Sequence, residues 1–172
     1  DIVITDGYEG GKAVVEYFRG LLVTLKGTSS EAMSVSVKWD GAPAVVCGTN
    51  PDNGKFFVGT KSVFAKNAKI NYTKKDIANN HGTDELGQKL LKCLVHLKKL
   101  NIATVVQGDL LFTDEDIVRK NIDGKPNLTF TPNTITYAVP ESGDLGKQID
   151  RAKVGIIFHT TYAGDSLEDM NA

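Results

Sequence analysis

The chain has 172 residues, 41% of them apolar and 24% charged, with a formal net charge of −1. That length and balance suit a globular domain with a real core. They exclude a disordered polyelectrolyte, a collagen-like fibre and a protein that attracts nucleic acid by a global basic field. Uninterrupted apolar runs are a few residues long, far short of a membrane span, and nothing reads as a signal peptide, so a cytoplasmic location is expected. Cys47 and Cys93 are isolated, and with three histidines they make no zinc spacing, so both are expected to fill core space. The Asn-x-Thr triplets at Asn71 and Asn127 are read as chance, because nothing else suggests secretion.

Residues 1–7 form a short apolar lead-in. Over 8–26, Val14, Val15, Phe18, Leu21, Leu22 and Leu25 recur at helical spacing and predict an amphipathic helix. Three strand-like runs follow, Met33–Lys38, Ala42–Gly48 and Lys55–Thr60. The turn formers of Thr49–Gly54 join the last two, which predicts an antiparallel meander. Ser62–Asn80 is polar and lysine-rich and reads as a loop with one helical turn. Thr83 is a candidate cap for a helix reaching Leu100, with Leu86, Leu90, Leu91, Leu94, Val95 and Leu97 as its stripe. "IATVVQGDLLFT" is a buried-strand run interrupted by Gln107, Gly108 and Asp109. A short helix is predicted over Thr113–Lys120, a hairpin turning at Pro132-Asn133, a helix over Glu141–Lys153 and a last strand in "VGIIFHTTY". With no repeat or linker, the reading is one α+β domain over 1–172, an antiparallel sheet with helices packed around it.

Chemistry concentrates in "SVSVKWDGAPAVVCG". Lys38 closes an apolar run beside Asp40-Gly41. A lysine there is either a solvated hairpin residue or an amine held in a cleft, where desolvation lowers its pKa towards that of a nucleophile. Lys38-Trp39-Asp40-Gly41 resembles K-x-D-G, the nucleophile motif of the covalent nucleotidyltransferases, which include ATP-dependent DNA and RNA ligases and capping enzymes. Later segments follow in the family's order. "FFVGTKSVF" brings Lys61 and Ser62, "VVQGDLLF" brings Asp109 where the family carries a glutamate, and "ITYAVP" brings Tyr137. The next motif departs from the pattern: in "VGIIFH" Val154 replaces the glutamate and His159 the lysine. Lys153 points to the opposite strand face and does not substitute. The final Lys-x-Lys strand is absent from these residues and is expected beyond Ala172 if the chain continues. The wording of "VKWDGAPAV", "NGKFFVGTKS", "PNTITYAVP" and "FHTTY" is also similar to ligase-like proteins of large tailed bacteriophages.

The resemblance implies a nucleotidyltransferase (adenylation) domain of the ligase, ATP-grasp-like type. It implies Lys38 and Asp40 as catalytic, and Val37, Trp39, Gly41, Lys61, Ser62, Asp109, Tyr137 and His159 around a nucleotide. ATP and Mg2+ or Mn2+ are the implied cofactors, with Asp109 on the metal. Nucleic-acid ends, RNA ahead of DNA, are the implied substrate of a monomer, cytoplasmic in the host cell if the phage likeness holds. The alternative is a ligase-fold protein without catalysis that binds nucleotide or belongs to a virion. Between Lys61 and Lys75 there are five lysines (Lys61, Lys66, Lys69, Lys74, Lys75) and no acid, with Phe64 and Tyr72 interleaved. Two readings stand: a nucleic-acid strip whose aromatics stack on bases, or a solvated loop.

Overall fold

The computed structural model describes residues 2–27 and 41–170. The strand expected over Met33–Lys38 therefore lies outside the described residues. The chain divides into two compact units, Asp1–Lys38 and Trp39–Ala172.

In the first unit the apolar lead-in is a helical turn, α1 (Ile2–Thr5), followed by α2 (Gly7–Leu25). The stripe from Val14 to Leu25 lies on α2, as the spacing predicts. The helix stops at Gly27, whose φ of 70° is the left-handed conformation that glycine adopts without strain. There the Gly27 N–H donates to Thr24 O at 2.9 Å and the Lys26 N–H to Leu22 O at 3.1 Å.

The second unit holds two antiparallel sheets. Strands β1 (Ala44–Thr49), β2 (Phe56–Gly59), β3 (Val105–Thr113) and β7 (Val154–Tyr162) form a four-stranded sheet in the order β2-β1-β3-β7. Strands β4 (Val118–Ile122), β5 (Lys125–Phe130) and β6 (Tyr137–Pro140) form the other. Together with three further helices this is the expected α+β class with antiparallel sheets. The β1–β2 hairpin turns where the sequence predicts, with Gly54 at φ 68° donating its N–H to Asn50 O at 2.8 Å.

Helix α4 (Glu85–Leu97) covers one face of the larger sheet. Its Leu90, Cys93, Leu94 and Leu97 pack on Val45, Cys47, Val58 and Leu110. Both cysteines are fully buried, and burial pushes each thiol up to about 12. The cap is Asp84 rather than Thr83: its carboxylate accepts the Gly87 N–H at 3.3 Å. Val95, predicted on the stripe, is half-exposed. The opposite face of the sheet carries Val46, Phe57, Val63, Val105 and Leu167.

Two elements differ from expectation. The segment 62–80 holds a 3-10 turn (Lys61–Phe64) and the two-turn helix α3 (Lys74–His81). Thr73 and Asp76 form a reciprocal capping box, and the Asp76 carboxylate accepts the Thr73 N–H at 2.8 Å. Thr113–Lys120 is not helical. β3 runs to Thr113, the Asp116 carboxylate takes both the N–H and the hydroxyl of Thr113, and β4 follows. Asp123 and Gly124, at φ 51° and 77°, then turn β4 into β5 through a two-residue hairpin. Helix α5 (Asp144–Arg151) is shorter than predicted and packs Ile149 against Leu111, Phe112, Leu128 and Phe130. Asn71 is wholly buried and Asn127 nearly so, and both side chains are used in hydrogen bonds to backbone carbonyls.

Candidate functional site

Val37, Lys38, Trp39 and Asp40 lie outside the described residues, so the site is built from Gly41 onward. Gly41 runs against β3 with no room to spare: a Cβ there would lie 2.5 Å from Leu110 O and 3.1 Å from the Asp109 Cβ. The contact is fixed on both sides, by the Ala42 N–H donating to Leu110 O and the Leu110 N–H donating to Pro43 O, each at 3.0 Å. Ala44 then pairs directly with Asp109. Glycine is required because the backbone here approaches another backbone at contact distance. The segment that begins at Gly41 is thereby pinned beside the Asp109 carboxylate.

Asp109 sits on the sheet face away from α4, with its side chain 21% exposed. Alternation along β3 puts Val105, Gln107 and Asp109 on that face and Val106, Gly108 and Leu110 on the other. His159 reaches the same face by an irregularity. The β3–β7 register shifts between Gln107, paired with Thr160, and Gly108, paired with Phe158, so His159 is the extra residue of a bulge. Its Nε2 stands 3.6 Å from Asp109 Oδ1, and its Nδ1 shares a 2.8 Å hydrogen bond with Thr160 Oγ1. Gly108 provides close approach, as the sequence suggests, and its neighbour is β7: a Cβ would fall 2.5 Å from Ile157 O.

Sequence reasoning missed Gln107. It is buried on the Asp109 face, and its Oε1 accepts the Tyr162 hydroxyl at 2.7 Å. The available signal was two polar residues two apart in an apolar strand, which alternation puts on one side.

The other predicted residues are placed as follows. Lys61 is exposed and leaves β2 at the end of the sheet where Ala44 pairs with Asp109. Ser62 shares a 2.8 Å hydrogen bond with the Thr60 hydroxyl, which caps the 3-10 turn. Tyr137 belongs to the smaller sheet, where its ring stacks on Phe130 with centroids 5.5 Å apart. Lys66 and Lys69 lie on the segment between the 3-10 turn and α3, and Lys74 and Lys75 form the first turn of α3; all four are exposed. Val154 packs against the α4-side core, and Lys153 donates to Asp114 at 2.8 Å, so neither reaches Asp109.

No group of three or more His, Cys, Asp or Glu among the described residues could hold a metal. Asp109 with His159 gives one carboxylate beside a tight backbone. That donor set fits a magnesium ion held mainly by phosphate and water, and does not fit a protein-caged metal. No helix among the described residues is long and apolar enough to cross a membrane.

An α+β protein with antiparallel sheets, carrying an acid–imidazole pair where three neighbouring strands meet, is what the fold and site define. The chain belongs to DUF6267, a family of unknown function whose model it matches over residues 1–172. No curated protein and no solved structure matches it.

Proposed function

We propose that the chain is an ATP-dependent nucleotidyltransferase of the nucleic-acid ligase type. One observation carries the reading: the strand that follows K-x-D-G, the strand of Asp109 and the strand of His159 are sheet neighbours, β1-β3-β7, with Gly41 against Asp109 and Asp109 beside His159. The reading is supported by the end of that first motif, Gly41, lying against the strand of Asp109, which in turn pairs with the strand of His159.

In this reading the neutral amine of Lys38 attacks the α-phosphorus of ATP. The P–N bond forms as the bond to pyrophosphate breaks, and the amine proton leaves to solvent or a nearby base, giving lysyl-AMP. AMP passes to a 5′-phosphate end, and a 3′-hydroxyl displaces it. Asp40 orients the nucleophile segment with Val37 and Trp39 around it, Lys61 and Ser62 bind phosphate and ribose and His159 faces the α-phosphate, while Tyr137, expected to cover the base, is stacked on Phe130 in the smaller sheet. A magnesium or manganese ion at Asp109 would neutralise triphosphate charge. The test is labelling with α-labelled ATP and magnesium. Acid-labile, base-stable label that disappears in Lys38→Ala is expected. No label from any of the four ribonucleoside triphosphates, or from NAD, overturns the reading.

Val154 favours a second reading, a ligase-fold protein that binds nucleotide or joins a virion without catalysis. The position where the family carries a metal-binding glutamate is apolar and packed in the core, and Lys153 is held by Asp114. Nucleotide binding without label is its signature.

A further inference from the structure

We propose that the lysine-bearing segment between β2 and α4 grips duplex nucleic acid by its phosphates alone, without touching a base. The inference rests on the nucleic-acid substrate of the reading above and not on its lysyl-AMP chemistry.

Lys61, Lys66, Lys69, Lys74 and Lys75 are all exposed, and none forms an ion pair among the described residues, whereas Lys89, Lys92, Arg119 and Lys153 all do. The segment bearing them is fixed. Asn71 is fully buried, its O accepts the Val58 N–H at 3.0 Å and its Nδ2 donates to Val58 O at 2.8 Å. Asn80 Nδ2 donates to Asn71 Oδ1 at 2.9 Å, which ties the segment to α3. A solvated mobile loop would not be held at its middle in this way; these lysines are presented on a scaffold.

Lys69 reaches Asn80 O, 3.1 Å away near the end of α3, while Lys74 and Lys75 occupy its first turn. An eight-residue helix is about 12 Å long, the axial rise of three to four phosphates of one strand at about 3.4 Å each. Lys74 and Lys75 share the first turn with Asp76, whose carboxylate is taken up by the N–H groups of Tyr72 and Thr73. Besides Asp76, two further acids lie near Lys66. Asp52 and Glu168 line a cavity of about 410 Å3 with Lys66, and the Asp52 carboxylate already accepts the Leu167 N–H.

Both aromatics are committed elsewhere, against the expectation that they stack on bases. Phe64 packs on Tyr162 with centroids 4.6 Å apart. Tyr72 packs edge-on against Phe57, and its hydroxyl accepts from the side chains of Asn50 and Asn53. Single-strand binders draw on such platforms for much of their affinity. Lacking one, the segment gains only from charge, and a duplex presents twice the phosphate per unit length with its bases already paired.

Binding of the full chain is measured by fluorescence anisotropy between about 50 and 200 mM salt. The probes are a duplex of about 20 base pairs, its single strand, an abasic strand of equal length and vesicles of anionic phospholipid. The duplex is expected to bind tightest, and the abasic strand as well as the base-bearing strand. Lys66→Gln/Lys74→Gln/Lys75→Gln is expected to lower the log–log salt slope by about two to three, at ~0.9 per lost duplex contact, with its circular dichroism unchanged. Glu168→Gln is expected to tighten binding. Tighter binding of the single strand, loss of binding to the abasic strand, an unchanged slope in the triple variant or preference for vesicles overturns the proposal. So does failure to bind the duplex at about 50 mM salt. The wild-type chain separates the two readings: duplex binding without label from α-labelled ATP sinks the ligase reading alone, and label without duplex binding sinks this proposal alone.

Discussion

Gly41 and Gly108 hold the two backbones that flank Asp109 at contact distance, each within 2.5 Å of a carbonyl oxygen if a Cβ is added. Neither neighbour can give, because both are backbone in a paired sheet. Gly41→Ala and Gly108→Ala are each expected to destabilise by about 1–3 kcal/mol, the cost of overpacking, read as a lower urea midpoint at constant m-value. The Gly11→Ala exchange, where a Cβ would meet nothing within 4 Å, is the control and leaves the midpoint near the wild type or above it. The His159 imidazole stands where the resemblance expects a lysine. If it faces the α-phosphate, His159→Lys raises the yield of label from α-labelled ATP and His159→Ala lowers it; equal yields in all three proteins remove His159 from the site.

Among the elements, α3 depends on its cap more than on its composition, since only Ile77 of its eight residues is buried. Thr73→Ala is expected to cost about 1 kcal/mol and to raise amide exchange in α3 ahead of α4. The same cap explains why α3 was underestimated from sequence: Thr-x-x-Asp lay inside a lysine-rich run whose polarity argued for loop. The long elements were legible because periodicity marked them, α4 by its leucines and β3 and β7 by their apolar runs. β4 was not. "VRKNI" is exposed along its whole length and shows no alternation, so only the Asp123-Gly124 pair announced a hairpin. At the site, Asp109 and Gly108 were readable from type and neighbours. The Asp109–His159 pair was not, because it depends on a bulge that no local pattern encodes. Gln107 was hidden for a related reason, its partner Tyr162 lying 55 residues away.

Across the whole second unit, charge links its layers. Asp114 follows β3 and receives Lys153, just before β7, and Lys92 of α4. Those two ammonium groups, Lys153 first, hold its carboxyl down at about 2. The folded value lies below the ordinary carboxylate value of about 3.9, so the stabilisation is complete above pH ~4 and is lost as pH falls towards 2. Lys153→Met is therefore expected to flatten the loss of thermal stability over that window and to leave the slope near neutrality unchanged. A wild-type melting temperature indifferent to pH between about 4 and 2 would rule out this coupling.

Cys47 and Cys93 bring the strand–helix interface within reach of direct timing. One lies on β1 and the other on α4, both sealed in the layer that joins helix to sheet, and neither thiol ionises at neutral pH. An alkylating reagent meets a thiolate only after α4 lifts from the sheet. The two cysteines are thus a built-in stopwatch for that event. If helix and sheet part as one unit, both sites are modified with a single time constant; a faster Cys93 would mean that α4 frays from its own end while β1 stays in place.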